Sequence, residues 1–349
     1  MSLISYILIL LLCFILLARI VDQFFVESLD KISKKLQLSS DAAGATLMAM
    51  GSSAPELFVA LFSVLKPGEH NDIGIGSIVG SAIFNLLAIC GIVAVTKSSK
   101  LTWQPIVRDV IFYFLAVVLL LWGVVDGQFS MIDALLFICI YVLYVFAVVH
   151  WRKWFPYSDQ ADDMEEEDKT PLKLDFLDKA LTFIMPKPQH YYAVFSVSIV
   201  SIAALSWLMV EGAIGIAHIT GIPESIIALT ILAAGTSVPD LISSVVVAKQ
   251  GRGDMAISNA IGSNIFDILI GLGLPFLIYI LVQGGEVVTQ SEDMLRSSLI
   301  LFGSLALFMF ILICNKWKIG KGTGTLLISI YIIYIVYEIA LLYLPNLFQ

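Results

Sequence analysis

Charge is scarce in this chain. Only 14% of its 349 residues are Asp, Glu, Lys or Arg, against 59% hydrophobic, too few to clothe an ordinary soluble domain. Cysteine is scarce as well: Cys13, Cys90, Cys139 and Cys314 stand apart in apolar stretches with no CxxC pair. Neither a disulfide framework nor a thiolate metal site is indicated, and the four read as small core residues. The histidines, His70, His150, His190 and His218, fall at or near the ends of apolar runs, so no buried imidazole relay is evident. The start lacks the basic residues and small-residue cleavage site of a secretory signal, and Leu3–Leu17 reads as the first membrane helix. A formal net charge of −8 identifies no partner by itself. Nothing points to nucleic acid, an obligate protein partner, a covalent cofactor or enzymatic chemistry.

Apolar runs of the ~20 residues that cross a bilayer as a helix are abundant. The expected fold is an all-α integral membrane protein of ten spans, near 3–24, 42–65, 72–96, 106–125 and 129–151, then 191–217, 224–248, 254–283, 296–315 and 323–344. Between the halves, 152–190 is polar, and Asp159–Asp168 is its acidic centre; a surface linker or disorder is its default reading. Assigning every Lys and Arg to a connection leaves only Lys66 and Arg296 on one side of the membrane. The positive-inside rule then places both termini outside and the 152–190 loop in the cytoplasm, fitting a plasma (inner) membrane protein. Five spans per half is an odd number, so two related halves, 1–151 and 191–349, must be inverted about an axis in the membrane plane.

They are related. Ala45–Leu61 (ATLMAMGSSAPELFVAL) returns as Leu229–Val245 (LTILAAGTSVPDLISSV). With Gly51 on Gly235, Thr46 falls on Thr230, Ala49 on Ala233, Ser52 on Thr236, Ser53 on Ser237, Pro55 on Pro239 and Glu56 on Asp240. Gly80–Asn85 (GSAIFN) likewise returns as Gly262–Asp267 (GSNIFD). These repeats occupy about 42–96 and 224–283. An acid inside a span is costly and marks an ion or proton path. Proline removes a helical donor and frees carbonyls on the preceding turn. Freed carbonyls, hydroxyls and carboxylates are the hard oxygen ligands that suit cations. One such copy could equally be a kinked helix with a structurally paired acid. Two in register point to a shared site.

Glu56 and Asp240 form the anionic pair, with Ser52, Ser53, Thr236 and Ser237 beside them and Ala49 and Ala233 offering carbonyls. Any one hydroxyl alone could simply bond its own helix. Ser81 and Asn85 in the third span, and Ser258, Asn259, Ser263, Asn264 and Asp267 in the eighth, add further oxygens. Asp267 stands where Asn85 does, so the repeat is asymmetric in charge. No Lys or Arg lies within these segments. Repelling carboxylates without a basic partner call for a cation, and one divalent ion or several monovalent ones would serve.

GATLMAMGSSAPELF, IGSIVGSAIFN, ILAAGTSVPDL and GDMAISNAIGSNIFDILIGLGLP resemble the two α-repeats of the cation/Ca²⁺ exchanger superfamily, and most closely those of its potassium-dependent sodium/calcium exchangers. The resemblance implies an antiporter that exports Ca²⁺ against entering Na⁺, with K⁺ moving alongside Ca²⁺. By motif position Glu56 and Asp240 would be the shared Ca²⁺/Na⁺ carboxylates. Ser52, Ser53, Thr236, Ser237, Ala49, Ala233, Ser81 and Ser263 would line flanking cation positions, and Asp267 would carry K⁺ dependence. The central loop is short beside animal members, so regulation by a large cytoplasmic domain is not expected. A H⁺/Ca²⁺ or K⁺-independent Na⁺/Ca²⁺ antiporter of the same fold remains a rival, since carboxylates alone can carry protons. A channel or Ca²⁺-binding scaffold is a second. Of the other intramembrane acids, Asp109 and Asp133 read as helix-end or interface groups and Glu211 as a gate or entry residue; Glu338 has no repeat partner. Spans 1 and 6 supply no ligand motif and are expected to slide past the rest.

Overall fold

The computed structural model describes residues 2–35, 47, 49–68, 70–155, 175–249, 251, 253–289 and 292–343. Thr46 and the acidic run Asp159–Asp168 lie outside these described residues.

The apolar runs form helices. α1 (Leu3–Ile20) passes through a π-helical turn, Val21–Phe25, into α2 (Val26–Lys35), so the first helix outlasts its expected end near residue 24. Short α3 (Ala49–Ser52) precedes α4 (Ala54–Leu65). α5 (Asn71–Ile83) continues through a π-helical stretch, Phe84–Ile89, into α6 (Cys90–Thr96). α7 (Trp103–Asp126) and α8 (Met131–Trp154) complete the first half. The second half holds α10 (Tyr191–Thr220), then α11 (Glu224–Ile227), a π-helical Ala228–Leu232, α12 (Ala233–Thr236) and α13 (Val238–Lys249). It closes with α14 (Gly253–Leu269), α15 (Gly273–Gln283), α16 (Glu292–Cys314) and α17 (Lys321–Tyr343). Among the described residues eight helical stretches are long and apolar enough to cross a membrane, or nine if the pair 224–236 and 238–249, bent by 43°, counts as one. Their outward faces carry large apolar side chains such as Trp122, Val125, Ile132 and Ile333, as a lipid-facing surface requires.

Local chemistry sets the helix ends. Ser130 and Asp133 form a reciprocal capping box at the start of α8, which makes Asp133 the helix-end group expected of it. Gly127 and Gly221 close α7 and α10 with φ of 77° and 71°, the left-handed conformation glycine adopts without cost.

Two expectations need correction. The first is small: the fold is helical as expected, with two two-residue strand pairs added, β1 (Ser99–Lys100) antiparallel with β4 (Lys318–Ile319) and β2 (Gln128–Phe129) with β3 (Val287–Val288). Both pairs tie a connection of the first half to one of the second. The 152–190 segment is not all linker, because α9 (Asp175–Ile184) folds within it. Leu181 and Met185 are buried, and Asp178 accepts a hydrogen bond from Gln23 (3.0 Å) and faces Arg19.

The interior splits into two apolar clusters. The smaller gathers α1, α10, the α9 end and single faces of α4 and the Glu224–Leu232 stretch, through Leu10, Leu17, Met209, Ala213, Val59 and Leu232. The larger packs α5 through α8 against α14 through α17.

Asp109 is not an interface group. It and Arg108 are each 1% exposed. Arg108 Nε donates to Asp109 Oδ1 at 2.7 Å, Tyr144 donates its hydroxyl to the same oxygen, and Ser258 to the other. Because α7 starts at Trp103 rather than near 106, both residues fall in its second turn, facing α8 and α14. Counted from β1 and β3, Arg108 and Arg296 occupy the same position, and Arg296 holds Asp293 and the buried Glu338. Counted from β2 and β4, Tyr141 and Tyr144 match Tyr331 and Tyr334.

Breaking the Arg108 pair strands a buried charge, which costs ~3–5 kcal/mol, whereas replacing both partners by apolar groups is often neutral. Arg108→Met should therefore lower the unfolding temperature in detergent sharply. Adding Asp109→Leu should restore most of the loss, as thermal denaturation would show.

Candidate cation site

Each repeated Gly-hydroxyl-Ser-x-Pro-acid segment breaks its helix at the same residue. Ser53 has φ −92° and ψ 4°, and Ser237 has φ −84° and ψ 4°. The hydrogen-bond pattern is also shared: Ser53 N donates to Ala49 O and Leu57 N to Ser53 O, as Ser237 N donates to Ala233 O and Leu241 N to Ser237 O. Pro55 and Pro239 lack the N–H that would serve the carbonyls of Gly51 and Gly235 four residues earlier. Leu47 and Ala228–Leu232 are π-helical just before the breaks. The partner segments depart from α-helix together too, at Phe84–Ile89 after Ser81 and at Ile270–Leu272 after Asp267. Such departures free main-chain oxygens and recur at functional sites.

The four segments meet. Ser53 Oγ lies 2.7 Å from Ser263 Oγ, and its repeat counterpart Ser237 Oγ lies 2.7 Å from Ser81 Oγ. Ser52 Oγ is 3.4 Å from Ser263 Oγ. Asp240 Oδ2 accepts from Ser263 Oγ (2.8 Å) and Asn85 Nδ2 (3.1 Å), and Glu56 Oε1 from Ser237 Oγ (3.5 Å). Ser52 and Thr236 also donate to the carbonyls of Ala49 and Ala233 in their own helices. The acids, hydroxyls and alanines expected to line the cation positions are thus all buried in one region, whereas Ser258 turns to Asp109 instead. Gly80 brings α5 against the chain ahead of α12: a Cβ there would strike Leu229 O and Ala233 Cβ.

Charge breaks the symmetry. Asn85 gives Asp240 a donor, while Asp267, at the matching place, has none to give and lies in electrostatic reach of Glu56 and Asp240. Ser53 faces Asp267, yet neither carboxylate oxygen has a partner within hydrogen-bond distance. Glu56 Oε2, Asp240 Oδ1 and Asn85 Oδ1 are buried without partners as well. No Lys or Arg side chain bonds these acids among the described residues. Unsatisfied buried anionic oxygens are costly, and a bound cation removes that cost. Among the described residues no three His, Cys, Asp or Glu side chains close around a metal position by themselves. A cation here would complete its shell with hydroxyl, amide and main-chain oxygens.

Tyr113 was not among the expected site residues, yet it is buried against them, and Asn264, expected to add an oxygen to the site, instead bonds Asn85 and Tyr113. Asn264 Oδ1 accepts from Asn85 Nδ2 (2.9 Å), and its Nδ2 donates to Tyr113 OH (2.9 Å). Asn264 aligns with Ala82, so the repeat carries no signal for it. Tyr113 sits in an ordinary apolar run and reads as core. Ser206 of α10 reaches Pro55 O (3.4 Å). Glu211 pairs with Lys66.

A family model described as "Sodium/calcium exchanger protein" matches residues 6–150 and 190–340. Sodium/potassium/calcium exchanger 2 of Gallus gallus is 28% identical over 94% of this chain and 76% of its own length. Sodium/potassium/calcium exchanger 4 of Mus musculus is 28% identical over 93% and 79%. Among solved structures, the sodium-calcium exchanger NCX_Mj aligns with a TM-score of 0.60 at 26% identity, covering 96% of this chain and 99% of that one. An H⁺/Ca²⁺ exchanger, CAX, aligns with a TM-score of 0.71 at 16% identity, over 97% and 87%; that likeness concerns the fold alone.

Overpacking a close helix contact costs ~1–3 kcal/mol. Gly80→Ala should lower the unfolding temperature, whereas Gly262→Ala, whose Cβ would meet only Tyr144 OH at 3.6 Å, should barely change it. Thermal denaturation of the two variants in detergent checks this.

Proposed function

The chain belongs to the sodium/calcium exchanger protein family, and from that premise we propose that this multi-pass membrane protein is a secondary antiporter, expelling Ca²⁺ in exchange for Na⁺ by alternating access. The observation that carries the reading is the set of buried oxygens on Glu56, Asp240, Asn85 and Asp267 that, among the described residues, have no hydrogen-bond partner and no basic side chain bonded to them. Glu56 and Asp240 are its Ca²⁺/Na⁺ carboxylates. Ser52, Ser53, Ser81, Thr236, Ser237, Ser263, Asn85 and the carbonyls of Ala49 and Ala233 flank them. Asp267 takes K⁺ alongside Ca²⁺, a role suggested by the resemblance to sodium/potassium/calcium exchangers.

The architecture in this proposal is ten spans in two inverted five-span repeats, 1–151 and 191–349. The matched Ser53–Ser263 and Ser81–Ser237 contacts, the exchanged strand pairs and the matched Arg108 and Arg296 support it. The termini face outside and 152–190 the cytoplasm, in the plasma membrane. Lys and Arg asymmetry supports that orientation, even with Arg19 and Arg108 buried in helices rather than lying in loops. Spans 1 and 6 slide past the remaining eight. Their separate apolar cluster supports this, as does their sparse polar contact with the site, through Ser206.

Protons are the alternative driving ion. Buried acids that bond no basic side chain among the described residues can also carry protons.

Ca²⁺ uptake into vesicles decides between them. An outward Na⁺ gradient should drive uptake, K⁺ should stimulate it, and a pH gradient alone should not. Glu56→Gln or Asp240→Asn should each lower uptake at least ~100-fold, a loss of about 2.7 kcal/mol. Asp267→Asn should leave Na⁺-driven uptake but remove K⁺ stimulation. Full K⁺ stimulation in that variant would refute the K⁺ assignment. Uptake driven only by a pH gradient would refute Na⁺ coupling.

A further inference from the structure

We propose that Tyr113, acting through its hydrogen bond with Asn264, is a positioning residue that sets which atom Asn85 turns toward the cation. The inference rests on the cation-site reading above. Asn85 carries one acceptor and two donors at the end of a side chain that can flip, and only one orientation is useful to a cation.

Hydrogen bonding decides the orientation. Asn85 Nδ2 spends both hydrogens, on Asp240 Oδ2 at 3.1 Å and on Asn264 Oδ1 at 2.9 Å. Asn264 Nδ2 likewise spends both, on Ala82 O at 3.1 Å and on Tyr113 OH at 2.9 Å. The Tyr113 hydroxyl, accepting from Asn264, donates its own hydrogen to Ala82 O at 3.4 Å. No hydrogen in this chain is left over, and the one unused acceptor among its side chains is Asn85 Oδ1. Flipping Asn264 would set its oxygen against the Ala82 carbonyl and its NH₂ against that of Asn85. Flipping both amides would relieve the second clash but set Asn85 Oδ1 against Asp240 Oδ2. The sequence from Ala82 O and Tyr113 through Asn264 therefore holds Asn85 with its oxygen unspent, next to the unspent Asp240 Oδ1. All of these groups are buried, so water cannot supply a substitute partner.

This is second-layer tuning of a cation ligand. Outer partners of metal ligands typically govern affinity by 10–100-fold. The test is Ca²⁺ binding to the purified full chain in detergent by isothermal titration, with thermal denaturation in the absence of Ca²⁺ as a control for folding. Tyr113→Phe, which removes one oxygen from a buried ring, should raise the Kd for Ca²⁺ about tenfold while leaving the number of sites unchanged. In an Asn264→Ala background the same change should raise Kd less than about twofold, because the relay is already cut. If Asn264→Ala does not fold, Asn85→Ala takes its place in the cycle with the same criterion. An unaltered Kd in Tyr113→Phe, or a second loss of full size in the double variant, overturns the proposal. Wild-type protein that binds no Ca²⁺ would instead overturn the cation-site reading, so the two failures are distinguishable.

Discussion

Uncompensated negative charge in a closed interior is the constraint on which this structure turns. Glu56, Asp240 and Asp267 lie within electrostatic reach of one another, buried, with no arginine or lysine bonded to them among the described residues. Elsewhere the protein handles buried acids differently: Asp109 has Arg108, and Glu338 has Arg296. Basic partners are thus available to this fold and are withheld at one place. In the proposed reading, the charge the chain leaves unpaired there is what a transported cation balances.

Interrupting four helical segments where they meet is what makes that place possible. A continuous α-helix uses every interior carbonyl on its own N–H groups and presents only side chains. The prolines and π-helical turns release main-chain oxygens beside the acids, and the serines at the breaks join the segments in two matched pairs. The proposed inverted repeat accounts for the equality of those pairs. The substitution of Asp267 for an asparagine accounts for where the equality ends. On the Asp240 side an amide satisfies one carboxylate oxygen; on the Glu56 side an acid faces an acid.

The packing forms two apolar bodies, which the proposal reads as one part that holds and one that moves. The Ser258 bond to the Arg108-paired Asp109 and the two short strand pairs tie the larger cluster across both halves, while Arg296 clamps α16 to α17. The first helix and α10 share another cluster, and α9 rests on it through Leu181 and Met185. A cation held by the larger body and covered by the smaller one would be exposed when the smaller one shifts.

Much of this is legible in the residues themselves. Repeated prolines, hydroxyls and acids mark the breaks and the ligand-bearing segments, because those side chains are costly in lipid and survive only with a purpose. Hydrophobic runs mark the helices for the same reason. Tyr113 is not legible, since a tyrosine in an apolar run looks like a neighbour of no consequence, and for Asn264 only its oxygen is legible, not that it is spent on Asn85. Asp109 departs from its expected place at an interface because its surroundings depend on where α7 begins and on what stands opposite. The helix α9 departs from a plain linker because short amphipathic helices gain their stability from the surface they meet. Composition and repetition determined which groups are present and at what depth. Only the tertiary structure decided which oxygen faces which hydrogen, because hydrogen-bond direction is set between segments far apart along the chain.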